Sequence, residues 1–140
     1  MKNRLMGTAA IALVIGILVV AGPLLAHHGN ASFDNSKRVT LKGTVTEWVW
    51  ANPHCWLKLD AKGDNGEVTH WIVEQTNAPG LVNSGWTKNS LKPGDEITIT
   101  LIPVKNGRPL GRFDCRDCVV TLANGKTLRY FGTGEQRGQE

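Results

Sequence analysis

Trp48-Val49-Trp50-Ala51-Asn52-Pro53-His54-Cys55-Trp56-Leu57-Lys58-Leu59-Asp60 is the stretch on which the fold turns. Asn52-Pro53 breaks it, so one strand ends and another begins inside it. After Pro53 the residues alternate. Cys55, Leu57 and Leu59 share one face, and His54, Trp56, Lys58 and Asp60 share the other. The first face is apolar and belongs to a core. The second carries an imidazole and an indole, more than solubility requires.

Upstream, Val39 to Trp48 alternates and is rich in β-branched residues, which predicts a strand with Gly43 as a bend or bulge. Downstream, Lys62 to Gly66 is a turn cluster, and Val68 to Glu74 reads as a third strand that closes a hairpin. Pairing Asp60 with Val68 would set His54 opposite Glu74. His54, Trp56, His70 and Glu74 would then share one outer face, with Trp71 and Val73 turned inward.

The pattern changes after Gln75. Pro79 to Trp86 predicts a short helix ending near Gly85, and Thr87 can cap one further turn to Leu91. Lys92-Pro93-Gly94-Asp95 is a tight turn before Glu96 to Ile102, the clearest alternating strand in the chain. Cys118 to Leu122 and Thr127 to Phe131 flank Asn124-Gly125, a hairpin signal. Three strands, a short helix and further strands is the order of the OB-fold, a partly open five-stranded barrel. The expected fold is mainly β: a small OB-like barrel of five to six strands with one short helix, preceded by a signal peptide. An unrelated small β-sandwich is the alternative.

The signal is read from Lys2 and Arg4, the apolar run Ile11 to Val20, the break at Gly22-Pro23 and the small residue Ala26. The alternative is an uncleaved anchor, since Gly7 to Ala26 is about long enough to span a bilayer. The division expected is 1–26 signal peptide, 27–38 N-terminal arm, 39–131 barrel domain and 132–140 flexible tail. Losing Lys2 and Arg4 takes the 16 basic residues to 14 against 12 acidic ones. That near balance gives no reason to expect nucleic acid, and cleavage would leave no membrane segment.

Cleavage after Ala26 makes His27 residue one. Its α-amine and imidazole, with His28 beside them, form a nitrogen-rich chelate of the kind Cu(II) favours. His54 is a third candidate donor and His70 a weaker fourth. A solvated His-His pair and a satisfied loop histidine are the bland readings of the same residues. Phe33 offers the arm an apolar anchor. The arm can reach back to the barrel rim, so an imidazole of His27 or His28 is expected within about 6 Å of His54. Cys115-Arg116-Asp117-Cys118 has the spacing of a redox motif, yet β-forming residues follow it rather than a helix. A structural disulfide or a soft metal site fits better in an oxidising compartment. With Cys55, three pairings are open. No Ser-His-Asp order, phosphate loop or paired-carboxylate motif is present, so no enzyme activity is expected.

His27-His28, Phe33-Asp34, Leu41-Lys42-Gly43-Thr44-Val45, Asn52-Pro53-His54, Gly85-Trp86-Thr87 and Leu91-Lys92-Pro93-Gly94-Asp95 together resemble a family of small exported bacterial proteins known as a domain of unknown function. The likeness covers nearly all of the chain after the signal. It implies an exported β-rich domain and supplies no activity. Gly29 stands where Ser commonly follows His-His, and Cys55, Cys115 and Cys118 look like additions. Three functions are carried forward. The first is a periplasmic or secreted binding module with copper as its ligand. The second is a structural or interaction domain of the cell envelope with a protein partner and no small ligand. The third is a thiol-redox protein.

Overall fold

The computed structural model describes residues 29–130. Its strands are β1 (Val39–Val49), β2 (Trp56–Lys62), β3 (Val68–Glu74), β4 (Glu96–Pro103), β5 (Leu110–Arg112), β6 (Val119–Leu122) and β7 (Thr127–Leu128). One α-helix, α1 (Ala78–Asn83), lies between β3 and β4. The pairing runs β1-β2-β3-β5-β4 and returns from β4 to β1, which closes a five-stranded barrel. β3 and β5 are parallel, and the other pairs are antiparallel. This is the OB order. The β6–β7 hairpin extends the sheet along the β4 edge.

Closure depends on β1 belonging to two pairings at once. Val39 to Thr44 pairs with β4, and Gly43 to Val49 pairs with β2. Gly43 and Thr44 are common to both. A Cβ on Gly43 would collide with the Asp60 carbonyl, so only glycine lets the strands cross this closely. A register shift between Val45 and Glu47 adds a bulge just beyond, which bends the strand further.

In the β2–β3 hairpin Asp60 pairs with His70, Lys58 with Ile72 and Trp56 with Glu74. The pairing of Asp60 with Val68 expected above is therefore off by two residues. A slip of two preserves the side-chain parity, so the outer face still carries His54, Trp56, His70 and Glu74. Leu57, Leu59 and Val73 are buried on the inner face, as the alternation requires.

Three neighbouring elements fill the barrel. Asn77 caps α1, its side chain accepting from Gly80 N at 2.8 Å, and Leu81 enters the core. Trp86 follows, 1 % exposed, packed on Trp48 and Phe113 with ring centroids at 5.7 and 5.6 Å. Its indole N–H donates to the Arg129 carbonyl at 2.7 Å, which satisfies the one polar atom it buries. From the N-terminal side, Phe33 is 2 % exposed and bridges to Val104. Asp34 N donates to the Pro103 carbonyl and Lys105 N to the Ser32 carbonyl. The arm is thus docked on the barrel from about residue 32, anchored by Phe33 as its apolar character suggested.

Strand β5 was not evident in the sequence. It is three residues long and includes Gly111, whose Cβ would meet Leu101 and the Ile102 carbonyl. The stretch expected to be a signal peptide, His27, His28, Phe131 and the expected tail lie outside the described residues.

Candidate functional site

His54 is placed by backbone rather than by packing. The Asn52–Pro53 peptide is cis. Beyond the formal ends of β2 and β3 the ladder continues, with Cys55 N donating to the Thr76 carbonyl at 3.1 Å and Gln75 N to the Cys55 carbonyl at 2.9 Å. These bonds hold the chain on either side of His54 against the end of β3. The His54 Nδ1 lies 3.2 Å from the Gln75 carbonyl and 3.2 Å from Glu74 Oε1. Both partners only accept, so Nδ1 carries the proton and Nε2 holds the lone pair of the neutral ring. Trp56 flanks the imidazole edge-on at 6.3 Å.

A cleft of about 170 Å³ opens beside this pair. Phe33, His54, Glu74, Gln75, Thr76, Arg112, Asp114 and Tyr130 line it. Arg112 comes from β5, next to Glu74 in the parallel register. Its guanidinium lies over the Phe33 ring at 5.1 Å and donates to Asn35 Oδ1 at 2.7 Å. Asp114 Oδ2 is 3.9 Å from the same group. The cleft therefore carries charges of both signs around one aromatic wall.

Gln75 is its most unusual member. It is 2 % exposed and is the one buried polar side chain among the described residues. Neither its Oε1 nor its Nε2 has a hydrogen-bond partner. The signal for it was available, because Trp71, Val73 and Gln75 continue the inward parity of β3 and put an amide at a core position. Arg112, Asp114 and Tyr130 carried no such signal. Arg112 and Asp114 arrive with β5, which runs parallel to β3, and Tyr130 arrives from the chain just after β7.

The other expected residues separate. His70 sits at the far end of the hairpin, its Nδ1 2.6 Å from Asp60 Oδ1. Four steps along the strand separate it from Glu74, about 13 Å at the usual rise. It does not share the His54 cleft, although both lie on one face as expected. Among the described residues no three His, Cys, Asp or Glu side chains gather as a metal site. Cys115 and Cys118 form a disulfide across the turn between β5 and β6, which selects one of the three pairings. Cys55 is the remaining thiol, fully buried, its Sγ donating to the Ala51 carbonyl at 3.3 Å. Burial pushes that thiol up from its ordinary value of 9.0, which suppresses the reactive thiolate. The tryptophans divide between core packing, at Trp48, Trp50, Trp71 and Trp86, and the outer face at Trp56. They form no common platform.

No curated protein and no solved structure matches the chain significantly. A family profile does match, over residues 14–113, which takes in the strands β1 to β5 of the barrel and the cleft residues up to Arg112. The chain belongs to DUF6152, a family of unknown function.

Proposed function

We propose that the protein is an exported binding module that takes Cu(II) at the mouth of the barrel through His54 and the N-terminal histidines. One observation carries the reading. His54 Nδ1 is held by the Glu74 carboxylate and the Gln75 carbonyl, the arrangement in which a metal-binding imidazole is usually fixed and made more basic. Nε2 is then the ligating nitrogen. The described residues supply one good nitrogen donor, so His27, His28 and the α-amine exposed by cleavage after Ala26 complete the set. Phe33 lines the same cleft as His54. His28 is five residues before it, within about 18 Å of extended chain, so the arm can deliver both histidines.

Calorimetric titration of the exported protein with Cu(II) tests this. One equivalent should bind more tightly than free histidine does. His54→Ala should weaken binding at least about tenfold, and Glu74→Gln by a similar factor through loss of the buttress. Unchanged affinity in His54→Ala would refute the site. Sequencing the N-terminus of the exported protein checks that His27 is residue one.

One observation favours the second reading, an envelope interaction domain with no small ligand. Val68 and Ile72 lie on the outer face of the β2–β3 hairpin, 48 % and 40 % exposed. On that reading, changing His27, His28 and His54 together to Ala leaves function intact.

A further inference from the structure

The Cys115-Arg116-Asp117-Cys118 turn has no part in the copper reading, and its disulfide does little for the barrel. It closes a loop of only four residues, so it constrains the unfolded chain less than a long loop would. Strand β6, which follows it, is held by its own ladders to β4 and β7. Two acids, one beside the turn and one inside it, tie it instead to the cleft and the arm. Asp114 lines the cleft and lies 3.9 Å from the Arg112 guanidinium. Asp117 lies 4.0 Å from Arg38, the last arm residue before β1. Arg112 in turn donates to Asn35 at 2.7 Å and covers the Phe33 ring. The segment 112–118 therefore clasps residues 33–38 from one side, while backbone bonds to Pro103 and Lys105 hold the arm from the other.

The disulfide in this clasp can be approached from one end. Cys118 is buried, 1 % exposed, whereas Cys115 is half-buried and is followed by the exposed Arg116 and Asp117. Thiol–disulfide exchange needs access to one sulfur, and a disulfide that can be reached is the reducible, regulatory kind. We propose that Cys115–Cys118 is a redox switch on the arm, thrown by a dithiol reductant that reaches Cys115 in the folded protein. The reductant's thiolate attacks the Cys115 sulfur, and the S–S bond breaks with Cys118 leaving as a thiolate that takes a proton from solvent. The second thiol of the reductant then displaces Cys115 as a thiol and closes the reductant's own disulfide. Two electrons and two protons pass to the protein. Cys55 does not divert the exchange, because it is buried with its Sγ on the Ala51 carbonyl. Without the bond, the turn no longer fixes Asp117 against Arg38 or Asp114 against Arg112. The clasp slackens and the arm undocks more often, while the barrel ladders are untouched. The consequence for copper rests on the reading above: an arm held less often at the cleft brings His27 and His28 to His54 less often, so Cu(II) binds more weakly.

Two measurements on the full exported chain test this, the first without copper. The native protein is treated with dithiothreitol, alkylated with iodoacetamide and mapped by mass spectrometry. Cys115 and Cys118 should be modified with no denaturant present, and Cys55 left unmodified. In the reduced protein, amide exchange at Asp34 and Lys105, whose N–H groups hold the arm to the barrel, should run at least about fivefold faster. Amides of the β1–β4 ladder should keep their protection. The second measurement titrates the double variant Cys115→Ser with Cys118→Ser, which removes both thiols as competing ligands, with Cu(II). Its affinity should fall at least about threefold below that of the oxidised wild type. The exchange measurement needs no variant, so it decides the question even if the serine pair disturbs folding. A disulfide that yields only in denaturant, or arm exchange unchanged by reduction, would overturn the switch. So would full Cu(II) affinity in a double variant whose arm exchange has risen. Failure of the copper reading looks different: the oxidised wild type itself binds no Cu(II), and the exchange result still decides the switch.

Discussion

Replacing Gln75 by Leu should make the unliganded protein more stable, which is unusual for a change at a residue 2 % exposed. The reasoning is a balance of two terms. Leaving a buried donor or acceptor unsatisfied costs about 1–3 kcal/mol, and here both ends of the amide are unsatisfied. A leucine of similar volume removes that cost, while its different branching costs under about 1.5 kcal/mol of repacking. The net expectation is a gain of about 1–2 kcal/mol. For a domain of this size each kcal/mol moves Tm by about 4–8 °C. Thermal unfolding followed by circular dichroism, without ligand, should place the variant roughly 5–10 °C above the wild type. A Gln75→Leu variant destabilised by more than about 1 kcal/mol without ligand would show that the amide is satisfied in the folded protein.

Four further outcomes are expected. Gly43→Ala should cost about 1–3 kcal/mol or prevent folding, because the new methyl meets the backbone of Asp60 rather than a side chain that can move; denaturant midpoints measure this. Reducing the Cys115–Cys118 disulfide releases a loop of only four residues in the unfolded chain, so stability should fall by only about 2 kcal/mol while the barrel survives in circular dichroism. Cys55 should resist iodoacetamide in the folded protein and react at once in denaturant, as mass spectrometry can follow. Since burial raises that thiol, the unfolded state ionises first as pH rises past about 9, so Cys55 makes stability fall there, and Cys55→Ala should flatten that part of the profile.

The barrel was legible because its strands are separately patterned. Val68–Glu74 and the start of β4 at Glu96 follow the alternation with no shift. Gly43 was identified as a bend from its place inside a β-branched run, and it proved to be the crossing point of two pairings. Register was less legible. Alternation fixes parity but not offset, so Asp60 against Val68 and Asp60 against His70 place the same residues on the same faces. The turn at Lys62 to Gly66 admits either. β5 escaped because three residues around a glycine carry no period, and its contribution comes from long-range pairing with β3 and β4.

The same distinction explains the site. His54 and Glu74 meet because both belong to the outer parity of the hairpin, and a parity argument reaches them even with the wrong offset. Gln75 follows Glu74 in sequence and so must point the other way, into the barrel. Two consecutive residues therefore serve opposite sides of one strand: Glu74 fixes an imidazole at the rim, and Gln75 buries its amide inside the barrel. A strand that merely closed a core would have an apolar residue at position 75, as it has Val73 two residues earlier. Arg112 then arrives beside Glu74 through the parallel pairing of β5, and its cation is set over Phe33 where the arm docks. The cleft exists only when β3, β5 and the arm are all in place. Deleting residues up to Phe33 should thus remove the aromatic wall and weaken Cu(II) binding at His54 at least about tenfold while leaving the β1–β4 pairing intact. A truncated chain that still bound Cu(II) with the affinity of the full chain would mean that the arm is no part of the site.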